Sequence, residues 1–185
     1  MKLIETKLKD CYILELDRFG DNRGWFSESY NKKVFEDLGL NYDFVQDNES
    51  FSAKKGVLRG LHFQNEPYTQ AKIVRCTRGA VYDVAVDIRH DSPTYGMWVG
   101  VELSEENGRQ LLIPRGFLHG FQTLTDNVKF AYKCDNYYNK ESDGGVMYND
   151  PDIGVVWPIE DPILSEKDKH HPKLRELVKE RGNLF

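Results

Sequence analysis

The sequence predicts an all-β fold, an antiparallel sandwich or barrel with two short helices at its periphery. Most of the chain reads as short strands separated by Gly, Asn and Asp. Only two segments look helical, which leaves the strands to build the core. With 185 residues, 39% of them hydrophobic, the chain has the length and composition of one globular domain, so we expect a single domain over 1–185.

The first strand is predicted at 11–16, and a short helix follows it. Asn31 is a good N-cap, because its side chain can accept a hydrogen bond from a free backbone N–H of the first turn. Gly39 suits the left-handed conformation that often ends a helix. The sequence therefore predicts a helix from Asn31 through Leu38. Its apolar face consists of Val34, Phe35 and Leu38.

Four further strands are predicted at 79–88, 97–103, 110–113 and 128–133. In the first of them, apolar residues at every second position alternate with Asp83, Ala85 and Asp87. Successive side chains of a strand point to opposite faces of the sheet, so the two aspartates share one face. We expect that face to line a polar cavity.

The second helix is predicted after Pro172, because proline suits the start of a helix. Its apolar positions are Leu174, Leu177 and Val178. Many short strands with two peripheral helices favour a sandwich or barrel, and such barrels often hold a ligand inside.

Composition and charge argue against several classes of protein. The net charge is −5, whereas a nucleic-acid-binding domain usually carries a basic excess. No stretch approaches the roughly 20 apolar residues of a membrane span, and the first residues have no long apolar run, so we expect no signal peptide. Cys11, Cys76 and Cys134 are too few and too scattered for a disulfide framework or a zinc site. They predict reduced thiols in a cytoplasmic protein.

The stretch from Gly108 to His119 resembles the second sequence motif of the cupin barrels. Five residues separate Gly108 from Pro114, one separates Pro114 from Gly116, and two separate Gly116 from His119. Thr123 stands where the cupin motif ends in Asn. The resemblance implies a cupin-type jelly-roll barrel in which His119 occupies a position that holds the ion in metal-binding members.

The first cupin motif is altered in a way that predicts a barrel without a metal. Gly56, five residues and His62 match its opening. Gln64 replaces the family's second histidine, and Lys72 stands at the place of the usual glutamate. An ammonium beside an amide makes a poor site for a divalent cation, so we expect no metal and no other cofactor.

These residue types suit proton transfer at a carbon beside a ketone. Removing such a proton builds negative charge on the ketone oxygen, and a preorganised ammonium in a dry pocket can stabilise that charge. His62 is the candidate base, because imidazole titrates near neutral pH. Such a base needs an orienting carboxylate, and Asp83 and Asp168 are both candidates.

A closer resemblance rests on six segments that follow one another with compatible spacing, namely 20–30, 46–50, 56–64, 114–121, 150–154 and 165–168. All of them resemble the dTDP-4-dehydrorhamnose 3,5-epimerase family. The resemblance implies conversion of dTDP-4-dehydro-6-deoxy-D-glucose to dTDP-4-dehydro-L-rhamnose, in dTDP-L-rhamnose biosynthesis for cell-surface polysaccharides. It also implies a homodimer that binds a dTDP-4-keto-6-deoxy sugar.

The same resemblance implies roles for individual residues. His62 is the base, and Asp168 holds it in a dyad. Lys72 stabilises the enolate oxygen, and Tyr132 is the acid that serves C5. Asp143 replaces a Glu of many relatives, which retracts the carboxylate. The positions that match substrate contacts or their neighbours in the family are Phe19, Arg23, Glu28, Gln46, Asp47, Asn48, Arg59, Lys72, His119, Asp143 and Lys167.

The sequence leaves the relation between Arg59 and His62 open. They are three residues apart, so an ideal strand places them on opposite faces. Either Gly60 forms a β-bulge that re-aims the chain, or Arg59 serves a neighbouring pocket such as that of a partner subunit.

Three other functions compete with the double epimerase. The most closely related alternative is an enzyme that inverts C3 alone or a ketoisomerase. The presence of Tyr132 favours inversion at both carbons. A metal-dependent cupin oxygenase is opposed by Lys72 and Gln64. A non-catalytic sugar-sensing domain needs the pocket but not the base.

Overall fold

The computed structural model describes residues 1–182, 184 and 185. Within these residues the chain forms thirteen strands, two α-helices and one 3₁₀ helix at Asp168–His170. Both described α-helices fall short of the length and apolar character of a membrane-spanning helix. The α-helices are α1 (Lys32–Asp37) and α2 (Leu174–Arg181). The strands are β1 (Lys2–Glu5), β2 (Tyr12–Glu15), β3 (Phe19–Asp21), β4 (Gly24–Phe26), β5 (Gln46–Ser52), β6 (Leu58–Gln64), β7 (Lys72–Arg78), β8 (Ala80–Asp87), β9 (Trp98–Ser104), β10 (Gln110–Ile113), β11 (Phe117–Thr123), β12 (Val128–Cys134) and β13 (Asp143–Gly145).

Two antiparallel sheets face each other and form the predicted jelly-roll barrel. The larger has the strand order β1-β2-β10-β7-β12-β5, and the smaller has the order β13-β6-β11-β8-β9. Apolar side chains of both sheets meet between them, among them Val74 and Phe130 from the larger sheet and Val101 and Phe121 from the smaller. The all-β prediction is confirmed.

The outer face of each sheet is covered by one of the helices. Leu174 and Leu177 of α2 pack against Leu61 and Leu118 on the smaller sheet. On the larger sheet, Phe35 of α1 is buried among residues of β2, β7 and β10. Each fully buried side chain of this size contributes roughly 1.5–3 kcal/mol, so both helices are held by their apolar residues.

The predicted first helix is confirmed, with one error in its apolar face. The Asn31 side chain accepts hydrogen bonds from the backbone N–H groups of Lys33 and Val34. Gly39 has a φ of +78° and follows the end of the helix. Leu38, predicted on the buried face, is 39% exposed, because the helix already ends there and the side chain turns outward. The second predicted helix is confirmed as α2.

All five predicted strands are present, but neither Asp83 nor Asp87 of β8 is among the residues that line the central cavity, so the expected polar lining is wrong for both. Asp83 and Asp87 share a face as expected, and both are fully buried. The Asp87 carboxylate accepts hydrogen bonds from the Arg89 guanidinium and from the hydroxyls of Ser92 and Thr94. A buried carboxylate of this kind is stable because several donors replace its lost hydration.

Candidate active site

A cavity of about 410 Å³ lies between the two sheets. Strands β5, β6, β7, β11 and β12 and the segment 163–168 contribute to its walls. Phe121 and Phe130, stacked with ring centroids 4.1 Å apart, form an apolar part of the wall. The predicted site residues that line the cavity are Arg59, His62, Lys72, His119, Tyr132, Lys167 and Asp168.

A β-bulge brings Arg59 and His62 to the same cavity. The register of β6 against β11 shifts between these two positions. Gly60 has a φ of +133°, and a Cβ on it would lie 2.6 Å from Gly120 Cα and 2.9 Å from the His119 carbonyl oxygen. Only glycine tolerates that conformation and that contact. Of the two alternatives open from the sequence, the bulge is the one that is present.

His62 and Asp168 form a hydrogen-bonded dyad. His62 Nε2 lies 2.6 Å from Asp168 Oδ1; the carboxylate side chain is 4% exposed, and the imidazole is 32% exposed. Burial lowers the pKa of His62 below its ordinary 6.5, although the contact with Asp168 opposes the shift. Burial also opposes charge on Asp168, but the His171 and His62 imidazoles outweigh it and lower the pKa of the carboxyl. At neutral pH the site therefore presents a neutral imidazole held by an ionised carboxylate.

The second candidate carboxylate, Asp83, belongs to another histidine. His119 Nε2 lies 2.9 Å and 3.1 Å from the two oxygens of Asp83, and both residues are buried. The His119 ring also stacks on Phe130, with centroids 6.2 Å apart. Asp83 thus orients His119, and Asp168 orients His62.

Lys72 and Tyr132 stand on neighbouring strands, β7 and β12, and the Lys72 Nζ lies 5.9 Å from the centroid of the Tyr132 ring. Burial lowers the pKa of Lys72, and Cys134, Asp143 and Asp83 offset this only in part. An anion beside Lys72 is therefore favoured. Burial raises the pKa of Tyr132 above 10, so the phenol keeps its proton at neutral pH.

His171 joins the dyad and was not predicted from the sequence. Its Nε2 lies 3.3 Å from Asp168 Oδ1, and its ring meets the His62 ring edge to face at 5.6 Å. Nothing in the sequence marks this histidine, since it belongs to neither cupin motif. Its proximity to Asp168 depends on the 3₁₀ turn between them.

His62, Asp168 and His171 are also the residues that could hold a metal, because their ligand atoms lie within 4.8 Å of one another. Two ligands of a tetrahedral zinc at about 2.0–2.1 Å stand roughly 3.3 Å apart. His62 Nε2 and Asp168 Oδ1 are only 2.6 Å apart, which is the length of a hydrogen bond. As placed, the two atoms are joined by a hydrogen bond and leave no room for an ion between them. The absence of a metal stays a prediction.

Three predicted substrate-binding residues lie away from the cavity. Phe19 and Arg23 belong to the β3–β4 hairpin, and Glu28 follows it. All three are exposed, and the Arg23 guanidinium pairs with Asp21. Within one chain, the structure does not bring them to His62.

The predicted residues of β5 divide between the two faces of the larger sheet. Gln46 and Asn48 are half-buried on the same face of the strand as Ser50, which lines the cavity. Asp47 lies on the opposite face and pairs with Lys133. Only Gln46 and Asn48 are therefore placed on the cavity side.

Asp143 and Gln64 hold loops beside the cavity in place. Asp143 contacts Lys167, and Tyr138 donates a hydrogen bond to it at 3.2 Å. Gln64, at the place of the cupin histidine, donates to the carbonyls of Tyr68 and Tyr137 and accepts from the backbone N–H of Asn139. Gln64 therefore holds loops together.

Proteins of known activity resemble this chain along nearly its whole length. A family model described as dTDP-4-dehydrorhamnose 3,5-epimerase matches residues 5–176. The Salmonella typhimurium protein of that name is 55% identical over 180 residues, which cover 96% of this chain and 98% of that protein. The Bacillus anthracis protein, crystallised with TDP and PPi bound, has a TM-score of 0.92 and 52% identity over 94% of this chain and 99% of its own. The Legionella pneumophila protein, in complex with dTDP-4-keto-L-rhamnose, has a TM-score of 0.92 and 48% identity over 97% and 95% of the two chains. The chain belongs to the dTDP-4-dehydrorhamnose 3,5-epimerase family.

Proposed function

We propose that His62 is the base with which this isomerase inverts C3 and C5 of dTDP-4-dehydro-6-deoxy-D-glucose, which gives dTDP-4-dehydro-L-rhamnose. One observation carries the assignment of the base: the His62 imidazole opens on the cavity while its Nε2 lies 2.6 Å from a buried carboxylate. An imidazole held in this way can take a proton, because the carboxylate stabilises the imidazolium that forms.

Both carbons flank the C4 ketone, so one arrangement of groups can serve both. When His62 takes the proton from C3 or C5, the electrons of the C–H bond form a C–C double bond and leave negative charge on the C4 oxygen. Lys72 lies on the cavity wall where burial disfavours its unpaired charge. An enolate oxygen next to it restores a favourable ion pair, so Lys72 stabilises the enolate more than the ketone.

Inversion requires a proton to return from the other face of the sugar. Tyr132 is the proposed donor to C5, because its phenol lines the cavity and keeps its proton at neutral pH. His119, fixed by Asp83, is proposed to contact the sugar between these groups. We also propose substrate contacts for Gln46, Asn48 and Asp143, with Asp47 as their neighbour on the outer face of β5.

The nucleotide needs cations and an aromatic surface. Arg59 and Lys167 line the cavity and suit the two phosphates. Phe19, Arg23 and Glu28 are proposed to reach the cavity of a second copy in a homodimer. Phe19 is 66% exposed in the single chain, and Trp25 and Phe26 beside it are exposed as well. An exposed aromatic hairpin of this kind is typical of an interface.

The homodimer is tested by mixing two inactive variants, His62→Ala and Arg23→Ala. If Arg23 serves the other subunit, a mixed dimer has one site with both residues intact, and mixing restores activity. If Arg23 serves its own subunit, neither site is complete and mixing restores nothing. We further propose that residues 1–185 act as one domain and that the protein is cytoplasmic, since its three cysteines are free and buried.

The reaction itself is tested by proton NMR of dTDP-4-keto-6-deoxyglucose incubated with the protein in D₂O. Deuterium at C3 and C5 together with the L-configured product is the expected result. Exchange at C3 alone would indicate a 3-epimerase and remove the role of Tyr132. No exchange in the wild type, with dTDP-sugar still bound, would favour a sensing domain. The His62→Asn variant is the matched control, and it should lose exchange at both carbons.

A further inference from the structure

We propose that His171 is a positioning residue that fixes Asp168 and, through it, the orientation of His62; this rests on the proposed role of His62 as the base. His171 belongs to neither cupin motif, and it does not line the cavity. It contacts Asp168 of the dyad from outside the cavity lining.

The local backbone explains why His171 meets Asp168. Asp168–His170 is a 3₁₀ helix, in which side chains three residues apart eclipse each other. Pro172 follows and favours extended backbone at the preceding residue, and His171 has φ −67° and ψ 145°. The helix therefore ends with the imidazole directed back at the carboxylate three residues before it.

Gly145 provides the room for this imidazole. It pairs with His62 in the register of β13 against β6. A Cβ on Gly145 would lie 2.5 Å from both Cε1 and Nε2 of His171. The His171 ring thus lies flat against the backbone of the residue opposite the base, and any side chain there displaces it.

His171 and His62 compete for one oxygen. His171 Nε2 is buried, 3.3 Å from Asp168 Oδ1, and has no well-aligned hydrogen-bond partner in the part of the chain that is described. His62 Nε2 lies 2.6 Å from the same oxygen. The partial positive charge on a His171 N–H group beside Oδ1 offsets part of the negative charge of the Asp168 carboxylate. The carboxylate then stabilises a protonated His62 less strongly. Removing His171 should therefore raise the pKa of His62 and loosen its ring.

The other charged groups around His62 come from separate elements. Lys72 on β7 and Lys167 beside the 3₁₀ helix lower the pKa of His62, and Asp168 raises it. His119 lies opposite His62 on β11 and is paired with Asp83. His171→Phe and His171→Gln leave Lys72, Lys167 and the His119–Asp83 pair unaltered, so a change in the His62 titration reports on the contact between His171 and Asp168.

Four variants separate the contributions of the ring, its N–H group and its position. His171→Phe keeps a ring without a donor, and His171→Gln keeps a donor without the ring. Gly145→Ala leaves His171 intact but displaces it. His90→Phe is the control, because the His90 side chain is exposed and lies beside Asp91 and Tyr95, outside the dyad.

Two measurements decide the outcome: the NMR titration of His62 in the ligand-free protein, and the pH profile of kcat/KM. His171→Phe and Gly145→Ala should raise the His62 pKa by about one unit, which is a tenfold change in proton affinity. They should lower kcat about tenfold with KM within about twofold. His171→Gln should return both values toward wild type, and the His90 control should change neither.

An unchanged His62 titration in both His171→Phe and Gly145→Ala would overturn the proposal, and so would a rise in KM with kcat unchanged. A lower melting temperature without a pKa change would likewise reduce His171 to a packing residue. If the wild type exchanges neither C3 nor C5, the proposed function fails, while the His62 titration still decides whether His171 positions the dyad.

Discussion

Replacing Asp168 with Asn removes the charge that stabilises His62 after it has taken a proton. Nε2 and Oδ1 are 2.6 Å apart and the carboxylate is buried. Unit charges about 4 Å apart attract by roughly 4 kcal/mol at an effective dielectric constant of 20. His62 is partly open to the cavity, so solvent screens part of this attraction and leaves about 3–4 kcal/mol. Losing that stabilisation lowers kcat by about 10²–10³.

The loss does not arise from a blocked base. Burial already holds the pKa of His62 below 6.5, so the imidazole is neutral at pH 7.5 with or without Asp168. Because the carboxylate raises the pKa of His62, its removal should move the acid limb of kcat/KM to lower pH, while KM changes little. The neutral Asn retains the size of Asp168 and one acceptor oxygen.

The assay is the initial rate of deuterium entry at C3 and C5, followed by NMR at saturating substrate. Asp152→Asn is the matched control, since that carboxylate is exposed and lies 3.8 Å from Arg175. A rate for Asp168→Asn within tenfold of the wild type, with the fold intact by circular dichroism, would refute the assignment of Asp168 as the partner of the base.

Three further predictions concern the acid, the metal and the bulge. Tyr132→Phe removes a proton that burial keeps on the phenol, so C5 exchange should fall about tenfold or more below C3 exchange; equal losses would contradict the assignment. Dialysis against EDTA should leave the rate unchanged, and an inhibition reversed by added Zn²⁺ or Mn²⁺ would establish a metal site. Gly60→Ala should lower the free energy of unfolding by about 2–4 kcal/mol in urea titrations, because its Cβ would meet Gly120 Cα at 2.6 Å. Gly20→Ala, whose Cβ comes no nearer than 3.6 Å to Gly24 O, should have little effect.

Local features of the fold were predictable because their causes are local. Helix α1 begins after Asn31, whose side chain caps it, and ends before Gly39, which adopts a positive φ. The order of the strands was not predictable, since it depends on pairings between distant segments, such as β7 between β10 and β12. Strand β13 has the sequence Asp-Gly-Gly, residues that are rare in strands, and exists because β6 pairs with it.

The same division applies to the site. His62, Lys72 and His119 stand at positions of the cupin motifs that share one site inside the barrel, so the sequence predicted that they lie together. Reasoning from the residues alone left Asp83 and Asp168 open as partners of His62, because the choice depends on how distant segments meet, and only the family resemblance implied Asp168. His171 was missed for this reason, since its place requires both the turn from Asp168 and the space at Gly145.

The two histidine–aspartate pairs look alike in distance but should respond differently to loss of charge. His62 becomes positive during turnover, so the charge of Asp168 enters the rate. His119 is buried against Asp83 and Phe130 and is proposed to keep one hydrogen bond to Asp83 throughout, for which an Asn oxygen is an adequate acceptor. Asp83→Asn should therefore retain exchange at C3 and C5 within about tenfold of the wild type, against the 10²–10³ loss for Asp168→Asn. Equal losses in the two variants, measured by the same deuterium assay, would mean that His119 also changes its protonation during the reaction.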